Sequence, residues 1–248
     1  MKCVIIGCGW LGLPLAEHLV GIGHSVAGSV RSQKKVDELR NCGVNLFLYN
    51  GKESHSIPQK LKNADVAIIN FPPSTSENYP AQIRELMHQF SRKTKIIFTS
   101  STGVYVGMGA VDETSEVAEY HPVRRAEKEV MDSGLSYSIL RLAGLIGGGR
   151  HPVKHLSGKV ADDGQQCVNL VQREDVIRAI EAVMNRSSER ELFNICHPEH
   201  PTRIDYYSKK ARDWNLAPPL FNTSGVEGKR VSGKLFMNAY SFEYLIPL

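Results

Sequence analysis

Two short stretches carry residues whose types and spacing can do chemistry. The first is Gly7-Cys8-Gly9-Trp10-Leu11-Gly12, a G-x-G-x-x-G pattern at the start of the chain. Gly7 permits a tight turn, Gly9 lets backbone approach a pyrophosphate, and Gly12 lets a helix pack closely on the preceding strand. The first N–H groups of that helix then face the anion. The second stretch is "EYHPVRRAEKEV", residues 119–130. Tyr120 and His121 can exchange protons, and Arg124, Arg125 and Lys128 supply positive charge beside them. Both stretches also have bland readings. A glycine turn can bind nothing, and a charged helix can simply pair Arg125 with Glu129.

The elements that must position these residues alternate from the first residue. Strands are expected over "KCVIIG", "HSVAGSV", "VNLFLYN", "ADVAIINF", "KIIFTSS" and "SYSILRLAGLIG". Between them come helices over "LGLPLAEHLVGIG", "SQKKVDELRNCG", "NYPAQIRELMHQFSR" and "PVRRAEKEVMDSG", the last with Pro122 at its first position. Such alternation predicts a doubly wound α/β fold, with a parallel sheet covered by helices on both faces. After the glycines at 147–149 the pattern thins to loops, the helices "REDVIRAIEAVM" and "IDYYSKKARDWN", and the strand "LFNIC". We therefore expect a dinucleotide-binding domain over residues 1–150 and a small substrate-binding lid over 151–248.

The cofactor type is written at the end of the second strand. An acid there would hold a ribose 2′-hydroxyl. Ala27-Gly28-Ser29-Val30-Arg31-Ser32 contains none. Ser29 and Arg31 suit a 2′-phosphate, so NADP is expected, with NAD as the alternative. Asn70, Phe71 and Pro72 begin "NFPPS" at the end of the fourth strand and would lie beside the adenine ribose and phosphates. Trp10 and Leu11, inside the glycine loop, complete the candidate cofactor contacts. Arg150 and His151, after three glycines, are placed like substrate-facing residues, and Asn169 can donate a hydrogen bond there. Asp175 reads as a helix-start acid rather than a catalyst.

"FTSSTGVY" resembles the Ser-Ser-x-x-Val-Tyr segment of extended short-chain dehydrogenase/reductases. "ILRLAGLIGGGR" is similar to the next strand of that superfamily, and "NLVQREDVIRAI" to its later Val-x-x-x-Asp-Val helix start. With "GCGWLG" and "RLAGLIGGGRHP", nearly the whole chain resembles an atypical, YeeZ-type branch of NAD(P)-dependent epimerase/dehydratases. The resemblance implies a Rossmann-type fold and a Ser/Thr, Tyr and Lys active site. Ser101 matches the Ser/Thr, which would hydrogen-bond a substrate oxygen; a serine that merely caps the next turn is the alternative. Dehydratase members carry an Asp-Glu pair next, whereas Thr102 and Gly103 stand here, so the acid/base pair for water elimination is missing. The family Glu that follows the Lys matches Glu129, which puts Arg125 at the Lys and His121 at the Tyr. Counting from Tyr120 puts Arg124 at the Lys instead. Neither count yields Tyr-x-x-x-Lys. Three replacements for the proton donor stay open: His121, Tyr105 and Tyr120.

The totals exclude other classes. Net charge is +4 over 248 residues, and the longest lysine runs are pairs, too short for a nucleic-acid surface. No apolar run approaches a membrane span. The five cysteines form no C-x-x-C, which favours reduced thiols in the cytoplasm. No histidine spacing suggests a metal. The reading is an NAD(P)-binding oxidoreductase or epimerase acting on a small hydroxylated or carbonyl substrate by hydride transfer, with a homodimer as the candidate assembly. The alternative is an NAD(P)-binding sensor without turnover.

Overall fold

Cys3, Val4, Ile5 and Ile6 are all buried, on both faces of their strand, as a strand inside a covered sheet requires. The computed structural model describes residues 1–39, 43–51, 56–73, 78–186, 190–222 and 228–248. Cys42, with the expected end of the second helix at 40–42, and Ser74 lie outside the described residues. The strands are β1 (Lys2–Ile6), β2 (Ser25–Val30), β3 (Asn45–Leu48), β4 (Val66–Ile69), β5 (Lys95–Ser101), β6 (Gly109–Val111), β7 (Ser136–Leu142), β8 (Gly144–Ile146), β9 (Val160–Ala161), β10 (Leu170–Gln172), β11 (Arg190–Ile195), β12 (Leu220–Phe221) and β13 (Lys229–Val231). The helices are α1 (Gly12–Gly21), α2 (Gln33–Glu38), α3 (Tyr79–Met87), α4 (Pro122–Met131), α5 (Val153–Leu156), α6 (Arg173–Met184), α7 (Arg203–Asp213) and α8 (Lys234–Tyr240).

Seven strands form the central parallel sheet in the order β11-β7-β5-β4-β1-β2-β3. β1 pairs in parallel with β2 through Lys2–Ser25 and with β4 through Cys3–Val66. Strand order therefore reverses at β1, and the crevice outside the carboxyl ends of β1 and β4 is where such sheets bind ligands.

The described residues form two compact units. The first comprises 1–104, 118–141 and 177–192; the second comprises 105–117, 142–176 and 193–248. This differs from one cut at residue 150. Residues 105–117 fold with the second unit. The strand expected in a lid, "LFNIC", supplies β11 of the central sheet, so the chain before it returns to the first unit. Within that unit, Lys95 closes the end of α6, its Nζ donating to the carbonyls of Val183 and Arg186 at 2.8 and 2.9 Å. Inside the second unit, three parallel two-stranded ladders pair β8 with β10, β9 with β12, and β6 with β13. Ile146, Val153, Val168, Leu170, Tyr206 and Tyr207 form one of its cores.

Candidate functional site: the crevice at the carboxyl end of the sheet

The three loop glycines answer to different demands. Gly7 has φ +109°, and a Cβ there would lie 2.2 Å from the Asn70 carbonyl oxygen. A Cβ on Gly12 would lie 2.1 Å from the Gly7 carbonyl oxygen. Both are required by the fold itself. A Cβ on Gly9 meets nothing within 4 Å. No packing demands glycine at that position, and the space in front of it is free for a ligand. Two side chains pin the loop. The Ser29 hydroxyl oxygen accepts from the Gly7 N–H at 2.9 Å, and the Ser29 carbonyl accepts from the Cys8 N–H at 2.8 Å. Asn70 donates to the Gly7 carbonyl at 3.3 Å and accepts from the Thr99 hydroxyl at 3.2 Å. Ser29 is buried. It shapes the loop, a different task from the phosphate contact expected of it.

In front of the loop lies a cavity of about 300 Å³. Gly7, Gly9, Ser29, Arg31, Asn70, Phe71 and Pro72 line it. Trp10 and Leu11 do not: Leu11 is buried in the core and Trp10 is half-buried. Gly12 acts through packing. The sequence reading missed Tyr49, Asn50 and Gln82, which line the cavity together with Ser32, the cap of α2, and Lys35. Arg31 and Lys35 are exposed at its rim, and among the described residues no carboxylate lines it. A second cavity of about 440 Å³ lies at the opposite ends of β1–β3, lined by residues such as Lys2, Ser25 and Asn45. Its size does not make it the site, because ligands of parallel sheets bind at carboxyl ends.

At the carboxyl end of β5, the Ser101 hydroxyl oxygen accepts from the Gly103 N–H at 3.0 Å. The turn-capping role is thus present, and it leaves the hydroxyl proton available for donation. Tyr120 is 83% exposed and lies outside α4, which starts at Pro122. His121 caps that helix, its Nδ1 accepting from the Val123 N–H at 3.2 Å. A capping Nδ1 carries no proton, so the ring offers its Nε2–H as a hydrogen-bond donor. Arg125 is exposed on α4, but Glu129 makes its bidentate pair with Arg84 of α3, at 2.6 and 2.7 Å. The Arg84 guanidinium holds the Glu129 carboxyl below the usual carboxylate range. Glu119 is likewise held low by Lys128 and Arg124.

Behind Ser101 lies a network that the spacing did not reveal. Glu127, fully buried, accepts from Ser100 Oγ at 2.6 Å and from Arg141 Nε and Nη2 at 2.9 and 2.8 Å. Arg124 Nη1 adds a contact at 3.2 Å. The signal was a glutamate on the apolar face of an amphipathic helix, where a charge survives only if paired.

The remaining candidates belong to the second unit, where most are committed to structure. Tyr105 is 3% exposed, and its hydroxyl donates to Asn194 Oδ1 at 2.8 Å. It is a buried tie between elements. Asn169 spends its amide on the backbone, donating to the Lys229 carbonyl and accepting from the Val231 N–H, both at 2.8 Å. His151 is 6% exposed; its Nδ1 accepts from the Val153 N–H and its Nε2 lies 2.9 Å from the Tyr206 hydroxyl. Burial, with Lys210 and Lys154 nearby, pushes His151 down to about 4. Its imidazole is committed to hydrogen bonds inside the second unit. Arg150 is exposed, at the end of the Gly147–Arg150 turn. Asp175 accepts from the N–H groups of Leu245 and Ile246, so it is a structural acid.

Residues 7–187 match the family described as NAD(P)H-binding. The chain belongs to that family. The protein YeeZ of Escherichia coli (strain K12) is 38% identical to it over 265 aligned positions, covering 99% of this chain and 96% of YeeZ. Among solved structures, a UDP-glucuronic acid 4-epimerase from Bacillus cereus in complex with NAD superposes with a TM-score of 0.79 at 17% identity, covering 100% of this chain and 94% of that one. A functionally unknown conserved protein from Silicibacter pomeroyi DSS gives 0.78 at 22% identity, covering 98% and 93%. At such identities the two structures establish the fold.

The residues present fit the family's dinucleotide. The open cradle at Gly9 would take the pyrophosphate, and the cavity has the size of a pocket for one half of the cofactor. Among the described residues there is no cluster of three or more His, Cys, Asp or Glu able to hold a metal, and no helix long and apolar enough to cross a membrane.

Proposed function

We propose that the protein is an NADP-preferring oxidoreductase or epimerase of the short-chain dehydrogenase/reductase type, acting on a small hydroxylated or carbonyl substrate. The observation that carries this reading is the cradle at Gly9 together with Arg31 and Lys35 on the rim of the same cavity. When bound, the nicotinamide cofactor supplies the hydride acceptor or donor. The chain's own residues do the rest. Arg31, with its planar fork of donors, would hold the 2′-phosphate, helped by Lys35. Ser101 would hydrogen-bond the substrate oxygen through its O–H while its own oxygen still accepts from the Gly103 N–H. Tyr120 and the His121 Nε2–H are the remaining donors at the start of α4. The Bacillus cereus enzyme acts on a nucleotide sugar, as its name states, which supports a hydroxylated substrate. Cys3, Cys8, Cys167 and Cys196 form no disulfide, which supports a reducing compartment.

One observation favours the second reading, a nucleotide-binding sensor without turnover. Each proton donor that could replace the family tyrosine is constrained: Tyr105 is tied to Asn194, His121 caps α4 through an unprotonated Nδ1 and so offers only a hydrogen bond from Nε2, and Tyr120 stands in solvent outside the helix. The nucleotide half of the proposal is tested by calorimetry with NADPH and NADH. NADPH should bind at least about tenfold more tightly, a difference of about 1.4 kcal/mol. Arg31→Ala should remove most of that advantage. Tighter binding of NADH would reverse the cofactor assignment.

A further inference from the structure

We infer that Gln82 is the residue with which this cavity recognises the adenine base of its dinucleotide. The inference rests on the dinucleotide reading of the cavity and adds to it a residue and a base preference.

The position follows from strand order. The glycine loop leaves β1 and takes the pyrophosphate, and the end of β2 carries Arg31 for the ribose. β3 lies on the far side of β2. Residues just past the end of β3 are therefore farthest from the loop along the cavity wall, where the base of the adenosine half must lie. Tyr49 occupies that place, and Gln82 of α3 joins it in lining the cavity. Phe71 adds an aromatic wall, held by the Tyr79 hydroxyl donating to its carbonyl at 3.0 Å.

Gln82 is an anomaly for its position. It is 7% exposed in the interior of α3, where an apolar residue would satisfy packing. Its side chain hydrogen-bonds the Tyr49 hydroxyl, and burial pushes that hydroxyl above the usual tyrosine range. The Gln82 side-chain carbonyl, Oε1, has no hydrogen-bond partner among the described residues. A buried acceptor without a donor destabilises the chain unless a ligand supplies the donor. The amide position is also prepared by its neighbour. Gly51 has φ +77°, and a Cβ there would lie 1.7 Å from Gln82 Nε2. The chain has yielded a side chain at residue 51 so that this amide can sit against the backbone.

A buried carbonyl acceptor selects a ring that offers an N–H donor. Adenine presents an exocyclic amino group. Hypoxanthine presents a carbonyl oxygen in the same place, which would set acceptor against acceptor. To meet that amino group, Oε1, which solvent does not reach in this structure, would turn about the terminal side-chain bond toward the cavity that Gln82 lines. Tyr49 and Gly51 are the supports that hold the amide in register.

The test compares NADPH with its reduced hypoxanthine analogue, in which oxygen replaces the adenine amino group, by calorimetric titration of the full chain. The wild type should bind NADPH roughly 10- to 100-fold more tightly than the analogue, the scale of one buried acceptor left unsatisfied. In Gln82→Met, NADPH should weaken by about tenfold and the two ligands should come within about threefold of each other. Equal binding of both ligands by the wild type, with NADPH bound well, overturns the role of Gln82 and leaves the dinucleotide reading standing. Binding of neither ligand overturns both. The wild-type comparison needs no variant, so a Gln82→Met chain that fails to fold leaves the test intact.

Discussion

Replacing Glu127 with alanine should be among the most damaging single changes in the first unit. The carboxylate is fully buried and receives Ser100, both Arg141 contacts and Arg124. Arg141 is only 2% exposed. Truncation takes the bidentate carboxylate from the buried Arg141 guanidinium and leaves the Ser100 hydroxyl without its acceptor. Breaking a buried pair in this way costs about 3–5 kcal/mol. Unfolding entropy near 2.1 cal/mol/K per residue amounts to roughly 0.5 kcal/mol/K for this chain, so the melting temperature should fall by roughly 6–10 °C. Circular dichroism or calorimetric melting at neutral pH measures this directly. A double variant isolates the cause. Glu127→Leu combined with Arg141→Met removes both charges and fills similar volume, and should recover to within about 2 kcal/mol of wild type. A Glu127→Ala protein melting within about 2 °C of wild type would refute the reasoning. So would a double variant less stable than the single one, since that would mean the charges themselves stabilise the fold.

Gly9→Val should fold normally, because a Cβ there meets nothing within 4 Å, yet it should abolish measurable NADPH binding in a fluorescence titration; unchanged affinity would dismiss the loop as the phosphate cradle. His151 supplies a pH dependence with a definite sign. Its folded value lies near 4, against about 6.5 when unfolded, so the unfolded chain binds more protons and stability declines as pH falls from about 6.5 toward 4. The contribution lost at pH 5 is about 2 kcal/mol, and subtracting the melting profile of His151→Gln from that of the wild type should show it; parallel profiles would count against a neutral buried imidazole. Once a substrate is known, Tyr120→Phe should lower turnover less than Ser101→Ala, because Tyr120 stands in solvent outside the helix while Ser101 sits on the strand end. A dead Tyr120→Phe enzyme that still binds NADPH would identify Tyr120 as the working proton donor.

What the sequence alone determined was local. The six alternating strands and their helices follow from a period of two or 3.6 residues and from glycine and proline punctuation. The role of Gly12 follows from sterics between neighbours in sequence. The missing Tyr-x-x-x-Lys was legible by counting, and so was the absence of an acid at the end of β2. Tertiary structure alone decided which polar groups face each other. Tyr105 reads like an active-site tyrosine until Asn194, 89 positions later, takes its hydroxyl. Glu129 reads as the partner of Arg125 until α3 brings Arg84 to it across 45 positions. "LFNIC" reads as a piece of a lid until the sheet accepts it at its edge beside β7. Gln82 draws no attention in the sequence until Tyr49 and Gly51, past the end of β3, come against its side chain. In each case the deciding free energy is that of burying a hydrogen-bonding group, and the identity of its partner is set by a chain approach that no local pattern encodes.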